Sequence, residues 1–216
     1  MKKIIAINCS PRTVWNTATL VRETAKGAEE QGAEVKVIDL YKLEKFTGCV
    51  SCFGCKLPEN LGKCICKDGL APTLEEIRNA DGLIIGSPNY LGDVTAAFRA
   101  LYERLIFQSL TYKTEVRSYN QKPIPVLMIM TSNASEDFYP QIGYDKMLER
   151  YRGSFNTFVG PTQILISSDT LQVRDYSRYD WTMFDPAAKQ QRHENEFPED
   201  KQKAYALGAE MISNPW

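Results

Sequence analysis

Near the start of the sequence stands Lys2-Lys3-Ile4-Ile5-Ala6-Ile7-Asn8-Cys9-Ser10-Pro11-Arg12. An unbroken apolar run of strand length ends abruptly in Asn, Ser, Pro and Arg. A second polar pair follows at Asn16-Thr17, and a helical pattern then begins. Strand, hydroxyl-rich turn and helix N-terminus together form a cradle for a phosphate. The free N–H groups of a first helical turn point at the anion, and the macrodipole favours negative charge. Ser10, Asn16 and Thr17 add neutral donors, and Arg12 adds charge. The loop has neither G-x-x-x-x-G-K-[ST] nor G-x-G-x-x-G, so it reads as neither a nucleoside triphosphate loop nor a dinucleotide pyrophosphate site. A hydroxyl- and Asn-rich loop with little glycine suits a single terminal phosphate; an ordinary βα turn with a Ser cap is the plainer alternative.

Outward from this loop, four more apolar strands alternate with helical patterns. The pattern places strands at Lys3–Asn8, Glu34–Leu40, Gly82–Gly86, Pro125–Met130 and Thr162–Ser167. It places helices at Thr17–Gln31, Thr73–Asn79, Val94–Phe107, Pro140–Arg152 and Pro198–Ile212. Strands apolar on consecutive residues are buried on both faces, as in a parallel sheet covered by helices. Alternating βα units favour right-handed crossovers and a doubly wound sheet, with ligands beyond the carboxyl ends of its strands. Three such ends are polar loops here, at 9–17, 87–93 and 131–138.

The second of these loops reads Ser87-Pro88-Asn89-Tyr90-Leu91-Gly92-Asp93. Pro88 stiffens the exit from the third strand, Gly92 permits a close backbone approach, and Tyr90 offers a flat face beside exposed N–H groups. That combination suits a planar heterocycle with a hydrogen-bonding edge. Five of the six cysteines fall between Cys49 and Cys66, as Cys49-x-x-Cys52-x-x-Cys55 and then Cys64-Ile65-Cys66. Repeated C-x-x-C gathers thiolates around one small volume, which is what a [4Fe–4S] cluster or Zn²⁺ requires. Free or redox-sensitive thiols are the third reading. Cys9 reads as a small buried residue.

At 216 residues, one α/β domain over 1–216 is expected, with a cysteine-rich loop at 41–72 and an irregular extension at 168–197. The net charge of −1 has no basic stripe for nucleic acid. No apolar run reaches membrane-span length, and the chain opens on a strand pattern rather than a secretory signal, so a cytoplasmic location is expected. The one histidine, His193, lies in a charged stretch and reads as part of a solvated face; His-based triads are thereby disfavoured. Tyr176, Tyr179, Trp181, Met183 and Phe184 read as packing or subunit contact, with a lid over a bound ring as the alternative.

Ser10-Pro11-Arg12 with Asn16-Thr17, the Cys49–Cys55 loop, Gly62-Lys63-Cys64 and Gly86-Ser87-Pro88-Asn89-Tyr90 occur in this order in a known family. Over residues 1–170 the chain resembles the NADPH-dependent FMN reductases of flavodoxin-like fold, in their iron–sulfur flavoprotein branch. The resemblance implies that Ser10, Arg12, Asn16 and Thr17 hold the FMN phosphate and that Pro88, Asn89, Tyr90, Leu91 and Gly92 lie along the isoalloxazine. Thr131, Ser132 and Asn133 would close over the flavin edge. Cys49, Cys52, Cys55 and Cys64 would hold a [4Fe–4S] cluster, with Cys66 as a spare or alternative ligand; the spacing from Cys55 to Cys64 is slightly longer than the branch's usual pattern.

The expectation is therefore an α/β/α three-layer sandwich with a five-stranded parallel sheet of order 2-1-3-4-5. It would bind FMN and pass electrons from NAD(P)H or a ferredoxin-like donor to a small-molecule or protein acceptor. A non-enzymatic flavodoxin-like carrier and a cysteine-based redox sensor are the alternatives. A homodimer or homotetramer is expected, with no nucleic-acid or membrane partner.

Overall fold

The structure is a computed structural model that describes residues 1–216. Five strands, β1 (Lys3–Asn8), β2 (Glu34–Asp39), β3 (Gly82–Pro88), β4 (Val126–Thr131) and β5 (Thr162–Ser167), form one parallel sheet in the order β2-β1-β3-β4-β5. Seven helices accompany them: α1 (Asn16–Glu30), α2 (Ala71–Arg78), α3 (Ala96–Ser109), α4 (Tyr139–Ile142), α5 (Tyr144–Phe158), α6 (Pro186–Asn195) and α7 (Phe197–Ser213). The expected three-layer sandwich and strand order are the ones that form.

The layers follow from the period-two alternation of strand side chains. In β1, Ile5 and Ile7 point to one face with Leu83, Ile85, Val126 and Met128, against Phe98 and Leu101 of α3 and Tyr151 and Phe155 of α5. Ile4 and Ala6 point to the other with Ile84, Leu127 and Ile129, against Leu20 and Val21 of α1 and Ala204 and Met211 of α7. Helices α1 and α7 touch backbone to backbone: a Cβ on Gly208 would lie 1.9 Å from the Thr24 carbonyl oxygen. Only glycine allows that approach.

Several expected boundaries shift for physical reasons. Strand β3 runs on through Ser87 and Pro88, because both still pair with β4, opposite Met130 and Thr131; the pairing of β3 with β1 has already stopped at Gly86, so the N–H that Pro88 lacks breaks no bond to β1. The edge strand β2 is largely exposed, not buried on both faces, and carries Lys36 in its middle, a common protection of a free edge. The helix expected at Pro140–Arg152 is two helices, with a break at Gly143 where φ is 76°, and the second continues to Phe158.

The 168–197 stretch is not irregular throughout. It contains α6, whose N-terminus is capped by the Asp185 carboxylate accepting from Ala187 N at 2.9 Å and Ala188 N at 3.2 Å. His193, on this helix, is not simply solvated: its ring stacks on Phe197 with centroids 5.1 Å apart. Burial, reinforced by the neighbouring Arg192 charge, holds its pKa below the usual range.

Candidate functional site

The carboxyl ends of β1, β3, β4 and β5 open into a cleft of about 400 Å³, within the usual size of cofactor sites. All the residues expected to hold FMN line it except Gly92. The loop after β1 is shaped by its own side chains. Asn8 Oδ1 accepts from Ser10 N at 3.0 Å, and Ser10 Oγ accepts from Arg12 N at 3.1 Å. Asn8 Nδ2 in turn donates to Asp39 at 2.8 Å. Asp39 is held below the usual carboxylate range: burial alone would raise its pKa, and the Asn8 hydrogen bond with the Arg22 and Lys42 cations outweighs that. The turn delivers the chain to α1, whose first turn carries no side-chain cap. Its leading N–H groups therefore remain available for an anion.

The side chains around that helix end are already engaged with residues 171–172, which follow β5. Asn16 Nδ2 donates to the Leu171 carbonyl at 2.8 Å, as does Trp15 Nε1 at 3.1 Å, and Arg12 donates to the Gln172 carbonyl. Thr17 and Thr131 share a hydroxyl hydrogen bond of 2.7 Å across the cleft floor. Trp15, Thr170, Leu171, Gln172 and Trp181 thus belong to the lining. The aromatic cluster is both packing and wall: Trp181 stacks on Tyr179 at 4.6 Å and also faces the cleft.

The loop after β3 is a tight turn in which Leu91 and Gly92 take positive φ, 54° and 85°. Asn89 builds it: its N–H donates to Thr131 O at 2.7 Å, and its Oδ1 accepts from Gly92 N at 3.0 Å. Gly92 closes the turn from behind rather than lining the cleft. The Asn89 Nδ2 amide is buried and has no partner. A buried donor left unmade is costly, so it marks a place where a ligand acceptor fits. Tyr90 stands half exposed beside it; burial raises its phenol pKa, opposed by Arg12 and reinforced by Tyr41. In the third loop, Ser132 shares a 2.7 Å hydrogen bond with the Tyr139 hydroxyl, whose pKa burial pushes up to about 12. Asn133 is anchored through its carbonyl, which accepts from Lys189 Nζ of α6 at 2.7 Å.

A second cleft, of about 340 Å³, opens at the amino ends of β3, β4 and β5. Its two cations, Arg78 and Lys122, are already paired with Glu75 and Asp81.

The cysteine loop folds against α3. Cys49, Cys52, Cys55, Cys64 and Cys66 all line one small, mainly apolar cavity with Phe53, Ile65 and Phe107. The two arms of the loop touch at Gly54, where a Cβ would lie 2.1 Å from Ile65 Cδ1; this close approach brings Cys55 beside Cys64. Ser51 and Phe53, between the first three cysteines, take positive φ of 53° and 58°, a conformation that side chains other than glycine adopt at some cost and that often marks ligand clamps. No three acidic, cysteine or histidine side chains are gathered as the ligands of a single ion. A four-iron cluster takes one thiolate at each iron, so its ligands surround a volume rather than a point, and the donor set of this cavity fits that chemistry. Cys9 lies fully buried at the end of β1, and burial pushes its thiol pKa well up.

No helix is long and apolar enough to cross a membrane. In comparisons with known proteins, an iron-sulfur flavoprotein of Methanocaldococcus jannaschii is 38% identical over 102 residues, covering 47% of this chain and 51% of that protein. An iron-sulfur flavoprotein of Clostridioides difficile is 30% identical over 115 residues, 51% of this chain and 49% of that protein. The matching part of the chain thus spans about half the length of these curated relatives. Among solved structures, an NAD(P)H:quinone oxidoreductase from Methanothermobacter marburgensis superposes with a TM-score of 0.70 at 12% identity, covering 97% of this chain and 96% of that one. An azoreductase from Bacillus anthracis gives 0.69 at 13% identity, covering 97% and 100%. At such identities these two establish the likeness of fold. The model of the NADPH-dependent FMN reductase family matches residues 2–137, more than half of the sequence, and the chain belongs to that family.

Proposed function

We propose that this protein is an FMN-dependent oxidoreductase that takes electrons from NADPH or NADH, or from a ferredoxin-like donor, and passes them to a small-molecule or protein acceptor. The observation that carries the reading is the cleft itself. It sets an uncapped helix N-terminus and Arg12 at one end and a buried, unpartnered Asn89 amide beside Tyr90 at the other. When bound, FMN supplies the redox chemistry, accepting a hydride and releasing electrons singly or in pairs.

The chain's own residues bind and orient. Arg12 and the first-turn N–H groups of α1 hold the phosphate, with Ser10 and Thr17 as neutral donors. Asn89 Nδ2 donates to an acceptor on the ring edge, while its Oδ1 keeps the Tyr90–Gly92 turn closed. Tyr90 and Trp181 supply flat faces. Thr131, Ser132 and Asn133 bound the open side, fixed from behind by Tyr139 and Lys189. No side chain is needed as an acid or base for hydride transfer, and none in the cleft has the paired arrangement of one.

Cys49, Cys52, Cys55 and Cys64 hold a [4Fe–4S] cluster in this reading, which the shared cavity and the two iron-sulfur flavoprotein relatives support. The protein acts as a homodimer or a homotetramer: Val14, Leu91 and Met183, in the segments that build the cleft, are 86%, 105% and 86% exposed, which a neighbouring chain would cover. The test is steady-state NADPH and NADH oxidation by FMN-loaded protein with an artificial acceptor. Many turnovers per chain support an enzyme; consumption that stops at a stoichiometric amount assigns a carrier or sensor instead.

A further inference from the structure

Arg104 is the largest fully buried side chain in the protein, 1% exposed. It projects from α3 into the wall of the cysteine cavity. Its Nη1 donates to both Asp68 carboxylate oxygens at 2.7 Å and reaches the Thr47 carbonyl at 3.4 Å, and its Nη2 donates to the Cys66 carbonyl at 2.9 Å. One guanidinium thus ties together the beginning and the end of the cysteine loop. Asp68 responds in kind: burial alone would raise its pKa, and the Arg104 hydrogen bonds with the Thr47 and Leu70 N–H groups hold it below the usual range. Cys55 and Cys64 line the same cavity as this guanidinium.

One nitrogen is left over. Arg104 Nε is buried and has no hydrogen-bond partner. A guanidinium does not lose its proton inside a protein, so this donor is permanent, and buried donors are rarely left unmade. A four-iron core held by four thiolates is an anionic group rich in sulfur acceptors, and hydrogen bonds to its sulfurs tune its potential.

We propose that Arg104 is the positioning and charge-compensating residue of this cluster. It donates through Nε–H to a cluster or Cys64 sulfur and presents Cys64, rather than Cys66, as the fourth ligand. Cys66 serves through its backbone carbonyl, which orients the 64–68 arm. This inference rests on the reading of the cysteine loop as a cluster site.

The experiment is anaerobic reconstitution with iron and sulfide of the wild type, Arg104→Gln, Arg104→Lys and Asp68→Asn. It measures iron per chain, iron retention against a chelator and the cluster midpoint potential followed by electron paramagnetic resonance. Bound FMN reports on folding, because the far end of α3 is capped at Thr95, directly after the flavin-binding loop. Arg104→Gln is expected to shift the midpoint negative and to weaken iron retention about 10–100-fold. Asp68→Asn is expected to shift the midpoint positive, because the guanidinium charge is then no longer offset. Arg104→Lys, which keeps the charge and loses the fork, falls between Arg104→Gln and the wild type. Wild-type potential and iron retention in both Arg104→Gln and Asp68→Asn overturn the role of Arg104 while leaving the cluster standing. A wild type that takes up no iron overturns the cluster reading and this inference with it. Should Arg104→Gln fail to fold, Arg104→Lys decides: wild-type potential and iron retention there overturn the role of the guanidinium.

Discussion

Arg12→Ala should separate FMN from riboflavin. Arg12 is exposed at the mouth of the phosphate loop and also donates to the Gln172 carbonyl. Deleting the side chain therefore removes two things: a charged donor to the phosphate and a clasp between the loop and residues 171–172. A hydrogen bond to a charged group contributes about 1.5–3 kcal/mol, and solvent exposure places Arg12 near the lower end, because surface charges are screened. A loss of about 1.5 kcal/mol is roughly tenfold in Kd. The lost clasp weakens both ligands alike, since it does not involve the phosphate. The ratio of FMN to riboflavin affinity isolates the phosphate term. Flavin-fluorescence titration of the apoprotein, for wild type and Arg12→Ala with each ligand, should show the FMN preference falling about tenfold at low salt and less at high salt. An equal loss for both flavins, or no loss for either, would refute the placement of the phosphate at the start of α1.

Cys52→Ala should abolish iron binding after anaerobic reconstitution, whereas Cys66→Ser should keep the iron content of the wild type; the reverse pattern between Cys64→Ser and Cys66→Ser would reassign the fourth ligand. Gly208→Val should lower the thermal midpoint markedly, because any Cβ there meets the Thr24 carbonyl at 1.9 Å and overpacking of this kind costs about 1–3 kcal/mol; calorimetry showing an unchanged midpoint would contradict the helix contact. Acid should destabilise the fold. The Asp39 and Asp68 carboxyls are both held below the usual carboxylate range, so the stability they contribute is present above that range and is lost as pH falls through their lower folded values. Urea titrations from pH 6 downward should show the midpoint dropping from near pH 4; in Asp39→Asn the drop should be shallower.

The strands were legible because each is an uninterrupted apolar run bounded by Gly, Pro or Asn, and the parallel order follows from their alternation with helices. The cleft residues on the first three loops were legible for a related reason: a strand end followed by Ser10-Pro11-Arg12 or Pro88-Asn89-Tyr90 carries its chemistry locally. What stayed hidden depends on distant contacts. Leu171 and Gln172 enter the site through backbone carbonyls that accept from Trp15, Asn16 and Arg12, more than 150 residues away, and a carbonyl leaves no mark in a side-chain pattern. Gly92 is legible by its freedom, a positive φ that serves the turn under Asn89. Helix α6 leaves no apolar stripe because its sequence is so polar, and its one local signal is Asp185-Pro186, a cap followed by a first-turn proline. Arg104 carries no signal of its own in the sequence, and only the cysteine loop folding over α3 makes it buried.

The most direct test of the account is the identity of what the protein holds. Purify it anaerobically, denature it and identify the released chromophore by chromatography and mass. About one noncovalently bound FMN per chain is expected. Release of FAD, or the absence of any flavin even after incubation with excess FMN, would contradict it.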